Sequence, residues 1–136
     1  MNHPSDAHPW FQIARANSWS SYQNYYVWSD SDQKYRQARI IFLNNEKSNW
    51  TWSSAANQYY SHCFYSCQPD LNFDNPVVQE RKPHVMDSWQ GLGVDGFRED
   101  AASCLHEREG ANHESLLEPH SYLKRLRRFE DEKYPG

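Results

Sequence analysis

The order of predicted elements in residues 75–133 constrains the fold more than any other feature of this sequence. Helical spacing of apolar residues predicts a helix over about 76–91, and a short apolar run predicts a strand over about 94–98. After a loop, Pro119 opens a second predicted helix over about 119–133. Helix, strand, loop and helix in this order favour an α/β fold with a parallel strand.

The first predicted helix has clear signals at its start and an obstacle inside it. Asn75 is a suitable N-cap and Pro76 suits the first helical position. Four apolar residues then define one helical face: Val78, Val85, Trp89 and Leu92. Pro83 falls in the middle, where it removes a hydrogen bond and costs about 3 kcal/mol. We therefore expect this helix to be broken or kinked at Pro83.

An arginine and a carboxylate follow directly at the end of the predicted strand. Arg98 and Asp100 are two positions apart, and in a strand that spacing puts both side chains on one face. The arginine would then hold the carboxylate ionised and fix its orientation. The pair could be an anionic nucleophile with its clamp or an ordinary surface ion pair. In parallel α/β units the active site lies beyond the carboxyl ends of the strands, where Asp100 falls.

The first half of the chain is built differently from the second. Of the 21 aromatic residues, 16 lie in the first 73 positions, whereas all five glycines lie in the last 46. Short strands are predicted over 25–30 and 38–43, residues 48–54 are predicted to be a strand or a turn, and the rest of residues 4–74 is interpreted as loops. A region this irregular is typical of a lid or a binding excursion from a scaffold.

Charge, hydropathy and cysteine usage exclude several classes of function. A net charge of −4 and a pI near 5.9 argue against a general nucleic-acid binder. No run approaches the roughly 18 apolar residues that a membrane span needs, and residues 1–10 lack the apolar core of a signal peptide. Three cysteines are too few and odd in number for a disulfide framework, which predicts a reducing, cytoplasmic setting. His62, Cys63 and Cys67 have no second pair of ligands for zinc, so chance is favoured.

Three segments carry a specific resemblance. GFREDA (96–101) resembles the nucleophile segment of the α-amylase superfamily, glycoside hydrolase family 13. QPDLNFDNPVVQE (68–80) is similar to a signature of that family's oligo-1,6-glucosidase-like branch, and MNHPSDAHPWFQ (1–12) resembles the end of its first motif. Finer features such as HPWFQ, YYVWSD and EREG resemble members of the family that interconvert maltose and trehalose.

The resemblance implies a fold and its division along the chain. The expected fold is part of a TIM (β/α)8 barrel, from the end of the third strand to the fourth helix. Residues 1–3 would end barrel strand 3 and residues 4–74 would form an aromatic-rich domain B excursion. Residues 75–136 would then supply a helix–strand–helix segment of the barrel.

The resemblance also implies roles for individual residues. Asp100 would be the nucleophile that forms a covalent glucosyl-enzyme, Arg98 would hold it, and His3 would contact sugar hydroxyls. The expected activity is intramolecular glucosyl transfer between maltose and trehalose, in a pocket that excludes water. Related α-glucosidase or sucrose-converting activity is one alternative, and a non-catalytic, vestigial carbohydrate-binding fragment is another.

A structural calcium site is implied as well, with no organic cofactor. Its ligands would be the side chains of Asn2 and Asp70, backbone carbonyls near Cys104 and Leu105, and the Glu107 carboxylate. Oxygen donors of this mixture suit calcium. The alternative for Asp70 is that it caps a turn.

The family's active site needs two further carboxylates that this sequence does not contain. The general acid/base glutamate and a second aspartate would follow later barrel strands, so we expect the 136-residue chain to be an internal fragment that is inactive alone. Glu99, Ser103 and Cys104 depart from the family pattern, and so does Pro83. The oligomeric state is left open.

Overall fold

The structure is a computed structural model, and it describes residues 2–112 and 116–135. Within them the chain has an α/β fold of three helices, two 3-10 turns and one small sheet. The helices are α1 (Pro9–Ala16), α2 (Pro76–Gln90) and α3 (Leu117–Lys133), and the 3-10 turns cover Gln23–Tyr25 and Ala102–Cys104. The strands are β1 (Trp28–Ser29), β2 (Trp50–Ser53) and β3 (Gln58–Ser61).

The sheet lies entirely within the aromatic-rich half of the chain. Its order is β1-β3-β2, and the central strand β3 is antiparallel to both neighbours. Tyr60 of β3 is paired with residues of both neighbouring strands, with Trp28 of β1 and with Thr51 of β2. Asn57, in the turn between β2 and β3, takes a φ of 53°, a left-handed conformation that asparagine tolerates better than most residues.

Helix α2 is continuous through Pro83, so the expected break does not occur. The Asn75 side chain accepts from the Val77 N–H over 3.0 Å, which confirms the N-cap. Pro83 has no N–H for the carbonyl of Gln79, four residues earlier. That carbonyl instead accepts from the Tyr122 hydroxyl of α3 over 3.4 Å. A neighbouring helix thus replaces the donor that proline removes.

The apolar face predicted for α2 is only partly buried. Val78 is buried, and so is Met86, which the prediction left out. Val85, Trp89 and Leu92 remain exposed, Leu92 at 78%. Among the described residues nothing covers that side of the helix, so correct helical spacing did not ensure burial.

One core joins the excursion to the helices. Phe11 of α1 stacks on Trp28 and meets Tyr26 and Tyr60 edge-on, which ties α1 to the sheet. The buried cluster extends from there to both long helices and comprises Phe11, Ala14, Tyr25, Tyr26, Tyr60, Leu71, Phe73, Val78, Met86, Leu105, Tyr122 and Leu126. Most of residues 4–74 lie outside helices and strands, as predicted, but their aromatic side chains are packed into this core.

The loop after residue 100 is fastened to the start of both long helices. The Arg108 guanidinium donates to Asp74, just before α2, over 2.7 Å, and to Glu118, in the first turn of α3, over 3.0 Å. These two carboxylates raise the pKa of Arg108 further, so the pair of contacts persists across the ordinary pH range.

Two of the predicted strands are not formed within the described residues. Residues 94–98 run without strand pairing, and residues 38–43 form bends and turns. A parallel strand is stabilised by ladder hydrogen bonds from neighbouring strands, and the described residues supply no such neighbour for 94–98. Residues 2 and 3, expected to end a barrel strand, are not in a strand either, and Met1 lies outside the described residues.

None of the described helices combines the length and apolar character required to cross a membrane.

Candidate functional site

Arg98 and Asp100 lie together, as their spacing predicted. The Arg98 guanidinium donates to Asp100 Oδ1 over 3.2 Å, and the same oxygen accepts from the Ala101 N–H over 3.2 Å. Both side chains are open to solvent, at 84% and 76% exposure. An exposed ion pair of this kind contributes little to stability. Its significance for the site is that it holds the Asp100 carboxylate in one orientation.

The backbone turns sharply after Asp100. Ala101 takes a φ of 53°, in the left-handed region that disfavours residues with a Cβ, and it opens the 3-10 turn Ala102–Cys104. This turn takes the chain from the exposed Asp100 to the buried Cys104 and Leu105 within five residues. It therefore connects the candidate nucleophile directly to a buried polar cluster.

Asp70 is the centre of that cluster. Its carboxylate is 1% exposed and accepts from the Ser61 hydroxyl over 2.9 Å and from the Cys63 N–H over 3.1 Å. His3 Nδ1 lies 2.8 Å from Asp70 Oδ1, and the His3 ring meets Phe64 edge-on. The contacts of Asp70 reach well beyond its own Pro-Asp-Leu-Asn turn.

Asn2 connects the segment that contains Asp70 to the turn that contains Cys104. Its side-chain amide donates to the Cys104 carbonyl over 2.7 Å, and its side-chain oxygen accepts from the Leu71 N–H over 3.2 Å. Asn2 is 1% exposed, so an unpaired amide there would be costly. Three of the five expected calcium ligands, namely Asn2, Asp70 and Cys104, are therefore brought into one buried cluster.

Glu107 is buried beside Asp70. Burial raises the pKa of the Glu107 carboxyl well above its usual range, and the nearby Asp70 carboxyl raises it further. Leu105 also lies in this segment, with its side chain in the hydrophobic core. Two carboxyls thus share a space with little water, an arrangement that favours either a shared proton or a cation.

Within residues 2–112 and 116–135, no group of three or more His, Cys, Asp or Glu side chains is arranged to hold a metal ion. The His62, Cys63 and Cys67 set is split, since His62 and Cys63 are buried and Cys67 is exposed. Of the expected calcium ligands, only Asp70 and Glu107 would bind through side chains of these four types, because the others are the Asn2 amide and backbone carbonyls.

Several members of the cluster were not identified from the sequence. Ser61 and the Cys63 N–H both bind Asp70, and buried His62 contacts the Thr51 hydroxyl over 2.9 Å. The available signal was a small polar residue, Ser61, at the end of the aromatic run QYYS, where a buried hydroxyl needs a partner.

A cleft of about 280 Å³ has Glu107 among its lining residues. Aromatic residues Tyr26, Trp28 and Tyr35 line it together with Asp74. Rings and carboxylates are suitable groups for binding sugars, because rings cover C–H faces and carboxylates accept from hydroxyls. Its lining includes neither Arg98 nor Asp100.

The chain is similar to known proteins over nearly its whole length. Residues 1–131 match the family model for the α-amylase catalytic domain. The chain is 54% identical over 135 residues to the trehalose synthase of Pimelobacter sp. (strain R48), covering 99% of this chain and 24% of that protein. It is 52% identical over 136 residues to the trehalose synthase/amylase TreS of Mycobacterium tuberculosis (strain CDC 1551 / Oshkosh), covering 100% of this chain and 23% of that protein.

A solved structure of the trehalulose synthase MutB superposes with a TM-score of 0.85 at 28% identity, covering 98% of this chain and 26% of that one. The chain thus spans about a quarter of the length of the relatives it matches. Because the family model covers nearly all of the sequence, the chain belongs to the α-amylase family, within that family's catalytic domain.

Proposed function

We propose that this chain forms part of an enzyme that interconverts maltose and trehalose, with Asp100 as the nucleophile. The observation that supports this most directly is the contact between Arg98 and Asp100, which lies within the family's GFREDA segment. The whole chain is also about half identical to two trehalose synthases.

The proposed chemistry depends on an ionised carboxylate held in one orientation. Asp100 would attack the anomeric carbon of maltose as the α-1,4 bond breaks, giving a covalent glucosyl-enzyme. The acid/base glutamate of the family's later barrel strands would protonate the leaving oxygen and so free the second glucose. That glucose would rotate within the pocket and attack through its anomeric hydroxyl, displacing the Asp100 carboxylate and giving its proton to the same glutamate, so that trehalose forms. Arg98 would hold Asp100 through both steps, because its N–H group and the Ala101 N–H converge on one carboxylate oxygen.

We propose in addition that residues 75–136 belong to a (β/α)8 barrel. In the chain, α2 precedes and α3 follows residues 94–98, which is the order that a barrel strand and its two neighbouring helices would have. Val85, Trp89 and Leu92 face outward from the described residues, and further barrel elements would cover them. Residues 4–74 would be the domain B excursion, and the cytoplasm is the setting that the cysteines favour.

Calcium fits the buried cluster by the chemistry of its donors. The Asn2 side-chain oxygen, the Asp70 and Glu107 carboxyls and the Cys104 carbonyl are all hard oxygen ligands, and the Leu105 carbonyl is adjacent. A bound ion would neutralise the two buried carboxyls and hold the excursion against the loop after Asp100. His3, which contacts Asp70, would be positioned by the same cluster to meet a sugar hydroxyl.

The test uses a chimera in which residues 1–136 replace the matching segment of the Pimelobacter trehalose synthase. Asp100→Asn should lower kcat for trehalose formation from maltose by several orders of magnitude. Asp95→Asn is the matched control, since Asp95 is an exposed carboxylate in the same segment. Comparable rates in the Asp100→Asn and control chimeras would contradict the assignment, and glucose as the main product would favour an α-glucosidase.

The cleft beside Glu107 supports a second candidate, a non-catalytic carbohydrate-binding unit. Trp28→Ala should then weaken maltose binding by the 136-residue chain in calorimetry, whereas Asp100→Asn should leave that binding unchanged. Failure of the chain to bind maltose would exclude this candidate.

A further inference from the structure

Two cysteine thiols meet in the buried cluster although they lie far apart in the sequence. Cys63 follows β3 in the excursion, and Cys104 ends the 3-10 turn after Asp100. The two thiols lie near enough to interact, and each residue is only 8% exposed. The backbones around them are fixed by the same cluster, because the Cys63 N–H binds Asp70 and the Cys104 carbonyl binds Asn2.

We propose that Cys63 and Cys104 form a reversible disulfide when a small peroxide reaches them, and that this bond fixes the excursion to the loop after Asp100. Both thiols are free in the structure, so the pair is in its reduced form. The proposal does not depend on the activity assigned above, since it concerns only the contact between two segments of this chain.

The reaction needs one peroxide for each bond. A cysteine thiolate attacks hydrogen peroxide, the O–O bond breaks, and the products are a sulfenic acid and hydroxide. The second thiol then attacks the sulfenic sulfur, forming the S–S bond and releasing water. Overall, two thiols and one peroxide give one disulfide and two waters, so the two thiol sulfurs are oxidised and the peroxide oxygens are reduced. An excess of a dithiol reductant reverses the bond.

The structure favours this pair over the alternative. Cys67 lies only four positions after Cys63, so chain proximity alone would favour a Cys63–Cys67 bond in an unfolded chain. In the folded chain Cys67 is exposed while Cys63 and Cys104 are buried in contact. A Cys63–Cys104 bond would therefore show that the fold selects the partner of Cys63, whereas a Cys63–Cys67 bond would show that chain proximity does.

The bond would close a loop of about 40 residues between the two segments. Closing a loop of this length restricts the unfolded chain and stabilises the folded one, so the melting temperature should rise by roughly 5 °C or more. The rise should disappear on reduction.

The test treats the 136-residue chain with hydrogen peroxide in native buffer and in concentrated urea, then maps peptides without reduction. We expect a Cys63–Cys104 peptide in native buffer and mainly Cys63–Cys67 in urea. Cys67→Ser should retain the native bond and the rise in melting temperature, whereas Cys104→Ser should lose both.

The same pairing in native buffer and in urea would overturn the proposal, because the fold would then not direct the bond. Recovery of Cys63 and Cys104 as unmodified thiols after native treatment would overturn it as well. So would their recovery as separate sulfinic acids, since thiols in contact should condense before further oxidation.

Discussion

The Tyr122 hydroxyl of α3 donates to the Gln79 carbonyl of α2 over 3.4 Å, at the position where Pro83 removes the helical donor. A buried carbonyl without a donor is costly, so this contact explains how α2 continues past a proline. It also couples the two long helices at their shared face.

Tyr122→Phe should therefore lower the free energy of unfolding by about 1 kcal/mol, measured by urea denaturation of the chimera. In a Pro83→Ala background the loss should be smaller, because the alanine N–H at position 83 restores the helical donor to Gln79. Equal losses in both backgrounds would show that the tyrosine does not compensate for the proline. The double-mutant cycle isolates this coupling from the general cost of losing a hydroxyl.

Arg98→Lys should lower kcat of the chimera by roughly tenfold to a hundredfold while changing KM little. Lysine keeps the charge but lacks the planar guanidinium that orients the carboxylate. Arg127→Lys is the control, because Arg127 forms an exposed i,i+4 pair with Asp131 on α3. Equal activity of the two variants would count against Arg98 as the residue that positions Asp100.

Calcium should raise the melting temperature of the chimera, and Asp70→Asn should remove this rise. An ion bound only by the folded form stabilises it by about 2.7 kcal/mol when its concentration is a hundred times Kd. Asp32→Asn, which changes an exposed carboxylate in the excursion, should keep the full calcium response. The comparison is a thermal melt with calcium and with chelator, and an unchanged response in Asp70→Asn would remove Asp70 from the site.

The pH dependence of stability should show the burial of Lys82. Burial lowers the pKa of Lys82 to about 8, against 10.5 for an ordinary lysine, and nearby Glu99 partly opposes the shift. Between these two values the unfolded chain binds more protons than the folded one, so stability rises with pH.

Lys82→Met should abolish that rise, which is on the order of 1 kcal/mol after discounting for partial exposure. The measurement is the difference in unfolding free energy between parent and variant chimeras from pH 7 to pH 9.5. Taking the difference cancels the other titrating groups. A constant difference across this range would contradict the assignment.

Local signals predicted the long helices well. The Asn75 cap and Pro76 set the start of α2 at the predicted residue, and α3 begins two residues before Pro119. Helix α1 was missed although Pro9 stands at its first position and buried Phe11 and Ala14 are three apart. Its apolar residues lie among so many other aromatics that the helical period was hidden.

Contacts between distant segments could not be predicted from local pattern. The spacing of Arg98 and Asp100 was sufficient to place them together, because they are neighbours in the chain. Asp70 binds His3, which is 67 positions away, and no periodicity encodes such a contact. The resemblance to a family grouped Asn2, Asp70 and Cys104, whereas Ser61 and Cys63 became visible only in the fold.

The two ion pairs of Arg108 connect carboxylates at the surface of the molecule to the buried polar cluster. Asp74 and Glu118 are partly open to solvent, yet both hold the side chain that follows Glu107 directly. A shift of either helix start would therefore pull on the backbone at Glu107 and alter how closely its carboxyl approaches Asp70. Substitutions at two surface positions would then be felt in the cluster without any direct contact with it, and their effects would depend on each other through a single guanidinium.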